Sequence, residues 1–171
     1  MKGKLTSLAV LLGLCAAACA NADSGTRTVK TTRVIPASPE AVLDAFMDAE
    51  ALASWWQVSR SLVEPETGGI WSVSWDDWGE QKTQHAWSGV IEELTPKRLV
   101  VGHLVMNEPG MPLFGPMQLE IEVERVAGGS SLTVSHHGYG YGEHWDRIYE
   151  LVVSGWEHVL GDLESWAREA Y

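Results

Sequence analysis

The stretch Val34-Ile35-Pro36-Ala37-Ser38-Pro39-Glu40-Ala41-Val42-Leu43-Asp44-Ala45-Phe46-Met47-Asp48-Ala49-Glu50-Ala51-Leu52-Ala53-Ser54-Trp55-Trp56 decides how this chain folds. Residues 28 to 35 alternate with β-branched side chains and read as an edge strand, which Pro36 ends because it has no N–H for a ladder. A helix then starts at once: Ser38 can cap it, Pro39 suits its first position, and Glu40 favours the positive end of its dipole. Val42, Leu43 and Phe46 recur at helical spacing. Residues 50 to 56 read as a second short helix whose apolar side is Leu52, Trp55 and Trp56.

Beyond Trp56 the period changes from helical to two. Strands are expected at 58–63, 70–75, 83–94, 98–106, 117–126 and 131–137, separated by Gly68-Gly69, the polar turn 76–80, Thr95-Pro96-Lys97, the loop 107–116 and Gly128-Gly129. Leu119, Ile121 and Val123 alternate with Glu120, Glu122 and Glu124, the pattern of a half-buried strand with a solvated outer row. A glycine-rich joint, residues 137 to 142, leads to a helix from about His144 to Ala170. Its apolar stripe includes Trp145, Ile148, Leu151, Val152, Trp156, Val159, Leu160, Leu163 and Trp166. An antiparallel sheet with one apolar face needs a cover, and only this last helix is long enough to supply it. The reading is an α+β helix-grip: a curved sheet of six to seven strands wrapped on a long C-terminal helix, with two short helices after the first strand.

The first 22 of the 171 residues have the organisation of a signal peptide. Lys2 and Lys4 form a basic start, Leu5 to Leu14 an apolar segment, and Ala20-Asn21-Ala22 a small-x-small cleavage pattern. Residues 23–27 then read as a linker and 28–171 as one domain, exported to the periplasm or beyond. Both cysteines, Cys15 and Cys19, lie in the leader, so the mature domain has no internal disulfide. Cys19 follows three alanines in the manner of a bacterial lipobox, without the usual large aliphatic residue three positions earlier. Lipid anchoring at Cys19 and cleavage near Ala22 are the two alternatives.

Without Lys2 and Lys4 the mature chain has 10 basic against 23 acidic residues, a net charge of about −13. Such a surface repels nucleic-acid phosphates and anionic lipid, so neither partner class is expected and a membrane enters only through Cys19. No catalytic elbow, metal-ligand spacing or cofactor motif stands out. His136, His137, Glu143 and His144 are conceivable metal ligands, but adjacent strand histidines point to opposite faces. No cofactor, metal or catalytic residue is assigned.

Several pieces in order resemble the START-like (SRPBCC) superfamily, in particular proteins similar to the C-terminal domain of the activator of the heat-shock protein 90 ATPase. They are Ala37-Ser38-Pro39-Glu40-Ala41-Val42 with Trp55-Trp56, Gly68-Gly69, Pro96-Lys97-Arg98-Leu99-Val100, Gly129 to His136, and Gly155-Trp156. The resemblance spans about residues 28 to 168. It implies a cavity between sheet and helix that takes an apolar guest, and in some members cyclase or hydrolase chemistry. It also implies that His136 occupies a position often held by histidine and that His103 replaces a frequent aromatic.

Nine tryptophans against two phenylalanines is an unusual balance. By strand parity Trp71, Trp75 and Trp87 face the helix, and with Trp156 they are expected to line the cavity, offering flat apolar walls and N–H donors. His103 shares its parity with Leu99 and Val101, and His136 with Leu132 and Val134, so both are expected to point inward as the polar groups of an apolar pocket. Trp55-Trp56 is expected at the rim. The Met-rich loop 107–116 reads either as part of the core or as an adaptable lid. The leading expectation is an exported protein that binds a small apolar or amphipathic ligand. The others are a polyketide-cyclase-like or hydrolase-like enzyme using His136 or His103, and a periplasmic chaperone-like interaction module; a homodimer is compatible with each.

Overall fold

The computed structural model describes residues 25–78 and 83–170. The leader, its cleavage pattern and Cys19 lie outside the described residues. The chain runs β1 (Arg27–Ile35), α1 (Pro39–Asp44), α2 (Ala49–Trp55), β2 (Arg60–Val63), β3 (Ile70–Trp78), β4 (Thr83–Thr95), β5 (Arg98–Asn107), β6 (Phe114–Val126), β7 (Gly129–Tyr139) and α3 (Glu143–Ala170). All strands join one antiparallel sheet in the order β1-β7-β6-β5-β4-β3-β2. The two short helices therefore carry the chain from one edge of the sheet to the other. This is the α+β helix-grip.

Both short helices start as their residues dictate. Ser38 Oγ accepts from the Ala41 N–H at 3.2 Å with Pro39 in the first turn, and Asp48 Oδ1 accepts from the Ala51 N–H at 2.8 Å. Each cap satisfies an amide that a helix N-terminus leaves without a partner. On α3 the buried face is Ile148, Val152, Trp156, Val159, Leu160, Leu163 and Ala167. Leu151, expected on that stripe, is exposed. Arg33 on β1 reaches α3, with Nη1 2.9 Å from Glu164 Oε2 and Nη2 donating to the Glu157 carbonyl at 3.4 Å.

Two local departures from alternation matter for the site. β3 continues through Asp76 to Trp78, so the first three residues of the expected polar turn at 76–80 belong to the strand. In β5 the pairing with both neighbours shifts near Gly102 and His103, and His103 takes φ of +51°. The inserted residue reverses the parity: Leu99 and Val101 face inward before it, Leu104 and Met106 after it. His103 is thereby corrected from a cavity residue to an outer-face one. Its side chain is 78% exposed, with Nε2 3.6 Å from Glu92 Oε1.

The Glu row behaves as a solvated face. Arg98 ties it together, with Nη2 2.8 Å from Glu120 Oε1, Nη1 2.5 Å from Glu93 Oε2 and Nε 3.7 Å from Glu122 Oε1. Surface pairs of this kind contribute little individually, and their place on the outer face keeps them clear of the interior.

Candidate functional site

The interior between sheet and α3 is built from tryptophan. Trp56, expected at the rim, sits at its centre. Its ring stacks on Trp55 at 5.1 Å and lies 6.2 Å from Trp71, 5.2 Å from Trp75, 5.7 Å from Trp87 and 5.2 Å from Trp156. Trp71, Trp75, Trp87 and Trp156 are all buried, as parity and helical spacing required. Four elements, α2, β3, β4 and α3, thus converge on one aromatic cluster.

Three indole N–H groups in this cluster have backbone acceptors. Trp55 donates to the Ala45 carbonyl at 2.8 Å, Trp71 to the Phe46 carbonyl at 2.9 Å and Trp75 to the Trp56 carbonyl at 2.9 Å. Ala45 and Trp56 are the C-caps of α1 and α2, where helical carbonyls run out of intrahelical partners. The indoles therefore terminate the short helices as well as filling the core. Their polar atoms are already used.

Trp87 differs. Its N–H donates to Glu108 Oε1 at 3.2 Å, and Glu108 Oε2 pairs with Nδ1 of His85, two residues before Trp87 on the same face of β4. Glu108 follows directly on β5 and is only 5% exposed. The carboxylate pins the start of the 108–113 connection onto β4, and Met111 from that connection packs against the core. A buried carboxylate is tolerated only when its lone pairs are taken up, which His85 and Trp87 do.

His136, on β7, lies with its ring 5.4 Å from Trp87 and 5.0 Å from Tyr139. Tyr139 Oη is 2.9 Å from His136 Nδ1. Three residues apart on a strand should face opposite ways. Gly138, at φ of +101°, breaks the alternation and returns Tyr139 to the inner face. Complete burial, with the charge of neighbouring His137 adding to it, drives the His136 pKa down to about 3, so the ring is neutral. Burial, reinforced by the negative charge of Glu108, pushes the Tyr139 phenol up, so its hydroxyl keeps its proton.

The proton positions follow. The Tyr139 hydroxyl has His136 Nδ1 as its one hydrogen-bond partner among the described residues. A buried O–H left without an acceptor is costly, so it donates to Nδ1, and the neutral ring then carries its own proton on Nε2. His136 Nε2 and Trp156 Nε1 are the two buried side-chain polar atoms without a hydrogen-bond partner among the described residues. Both rings border Trp87, Trp156 at 6.1 Å. The site thus presents two N–H donors in an otherwise satisfied aromatic interior.

A groove of about 590 Å³ lies elsewhere, between α1, α2 and the end of α3, where Asp44, Asp48, Glu50 and Trp166 are among the lining residues. It is open to water and its Asp48 is engaged as the cap of α2, so it carries less chemistry than the aromatic interior. Among the described residues no group of three or more His, Cys, Asp or Glu side chains is placed to hold a metal.

Of the six expected wall residues, five come together and His103 does not. Glu108 and Tyr139 were missed. Glu108 had one signal, being the sole ionisable residue in the apolar run 107–116. Tyr139 had none, because its orientation depends on the backbone at Gly138.

Residues 36–167 match the model of the family described as activator of Hsp90 ATPase homolog 1-like protein. The chain belongs to this family. The solved structures agree on the architecture of this START-like, SRPBCC-type fold. A protein from Chromobacterium violaceum is 25% identical, with 82% of this chain and 96% of that one covered at a TM-score of 0.64. The AHSA1 protein from Silicibacter pomeroyi is 16% identical, with 85% and 100% covered at a TM-score of 0.65. CalU16 from Micromonospora echinospora is 20% identical, with 83% and 76% covered at 0.59. No functionally curated protein matches the sequence significantly.

Proposed function

We propose that this family member is an exported binding protein that takes a small apolar or amphipathic molecule into the interior between the sheet and α3. The observation that carries the reading is the pair of buried, unpartnered donors, His136 Nε2 and Trp156 Nε1, inside the aromatic cluster. Native interiors rarely leave such groups unpaired, and an orphan pair in the region where this fold receives guests is accounted for by a guest. The wall is then Trp71, Trp75, Trp87, His136 and Trp156, with Trp56 between them and the 108–113 connection at the mouth.

His136 serves here in binding, not as a general base. A base works best with a pKa near the operating pH, whereas burial leaves this ring too weakly basic to take a proton at neutral pH. Export rests on the leader at residues 1–22, with Cys19 as the anchor or cleavage near Ala22 as the alternative outcome. It places the chain apart from any cytosolic chaperone partner. Fatty-acid labelling of intact cells separates the two fates, label on Cys19 marking the anchored form.

The deciding experiment is native mass spectrometry of protein purified from its own host, followed by solvent extraction. A bound small molecule released on unfolding is expected. Protein that is recovered at its bare mass, and that takes up no apolar probe afterwards, overturns the proposal.

A further inference from the structure

The chemistry of the guest can be narrowed from the atoms left over. Trp55, Trp71 and Trp75 spend their N–H groups on backbone carbonyls, and Trp87 spends its own on Glu108. What remains in the cluster is donor only: Trp156 has an N–H and no acceptor, and the Tyr139 hydroxyl holds the His136 proton on Nε2. Glu108, the one buried carboxylate here, already accepts from Trp87 and pairs with His85.

We infer that the guest is a neutral molecule whose oxygen acceptor, of the carbonyl or ether class, takes the N–H of His136, with the Trp156 N–H as the second donor. The inference rests on the binding reading above and adds the polarity of the ligand to it. Three physical points support it. An N–H donor is satisfied by an acceptor, so an ammonium or amidinium guest would set donor against donor. A carboxylate guest would enter a dry interior that already holds the Glu108 charge, at a desolvation cost that neutral His136 cannot offset. A hydrocarbon guest would leave both donors as they are, each a standing penalty.

The test uses four probes of one shape: 2-acetylnaphthalene, 2-isopropylnaphthalene, 2-naphthoate and 2-naphthamidine. Their substituents have the same number of heavy atoms and differ in hydrogen-bonding character and charge. Binding to the full mature protein is measured by calorimetry at neutral pH. Indole N–H resonances are followed in ¹H–¹⁵N spectra, the Trp156 signal being assigned from its loss in Trp156→Phe. The acetyl compound is expected to bind at least about tenfold more tightly than the isopropyl one, because a site built around hydrogen bonds rejects the analogue that lacks them. It is also expected to shift the Trp156 indole signal, while naphthoate and naphthamidine bind more weakly than either.

Equal affinity for the acetyl and isopropyl compounds, or preference for either ion, overturns the inference and leaves the binding reading standing. Failure of all four probes to bind overturns both. Because the comparison is made on unaltered protein, it does not depend on any core variant folding. His136→Phe supplies a second measurement, in which the acetyl-over-isopropyl preference is expected to fall severalfold. An unchanged preference would overturn the assignment of His136 as the donor.

Discussion

The hydroxyl of Tyr139 lies 2.9 Å from Nδ1 of His136, and the contact sets which nitrogen of that ring carries the proton. The pair is fully buried, so neither residue has water to fall back on. Tyr139→Phe keeps the ring packing and removes the donor. It is expected to destabilise the fold by about 1–3 kcal/mol, the usual cost of an unsatisfied buried polar atom. Urea denaturation checks the stability, and ¹⁵N shifts of the His136 ring report whether its proton moves to Nδ1.

The same histidine makes stability depend on pH. His136 falls to about 3 in the folded state from an ordinary 6.5, so between those values the unfolded chain binds the extra proton. Stability therefore rises with pH across the window and is lost as pH falls through it, with a limiting slope of about 1.4 kcal/mol per pH unit. Glu120 titrates lower: burial opposes its ionisation, but the Arg98 hydrogen bond and charge prevail and hold it below the ordinary 4.5. Subtracting the His136→Phe profile from the unaltered one, between pH 6.5 and 4.5, should isolate the slope. Superimposable profiles would contradict it.

Trp71 ties down the carbonyl just past the C-cap of α1 as well as filling space. In Trp71→Phe the Phe46 carbonyl loses its donor and the core loses part of a fully buried ring, so a loss of about 3–5 kcal/mol is expected. Urea denaturation of the variant beside the unaltered protein provides the measurement.

Gly155 sits in the middle of α3, and a Cβ built there meets nothing within 4 Å. Its conformational freedom weakens the helix without any packing benefit. Gly155→Ala is expected to raise stability by about 0.5–1 kcal/mol. A lower melting temperature for the variant would mean that the position serves another purpose.

His103 belongs to the outer surface, where its φ of +51° favours residues that tolerate the left-handed region. His103→Gly should change stability by less than about 1 kcal/mol, as relief of the strain offsets the added freedom of the unfolded chain. His103→Val should cost about 1–2 kcal/mol, because a β-branched side chain fits that region poorly. Neither should alter uptake of 2-acetylnaphthalene, in contrast to His136→Phe.

The difference between these two histidines shows where sequence reading succeeds and where it stops. Capping residues, the Pro36 stop and the alternation around Trp71, Trp75 and Leu119 are local properties, and they place helices and strands within about three residues. His136 follows an unbroken alternation from Leu132 and faces inward as that alternation requires. His103 follows Gly102 in a run where both parities are apolar, so nothing in Val100 to Met106 reveals that one residue is inserted. Tyr139 is the mirror case, turned inward by Gly138. Trp56 was misplaced from rim to centre because its position depends on how α2 lies across the sheet, a packing outcome and not a local pattern.

The strand order carries a consequence for how the protein is made. β1 lies beside β7, with Thr31 facing Val134, so the first strand waits for a partner roughly a hundred residues downstream. Contacts this distant in sequence make for slow folding, because the chain must close a long loop before the pairing stabilises anything. Until β7 is available, β1 has no strand to pair with. For a chain proposed to cross a membrane before folding, that delay is useful: the sheet closes around its first strand only when its last strand arrives.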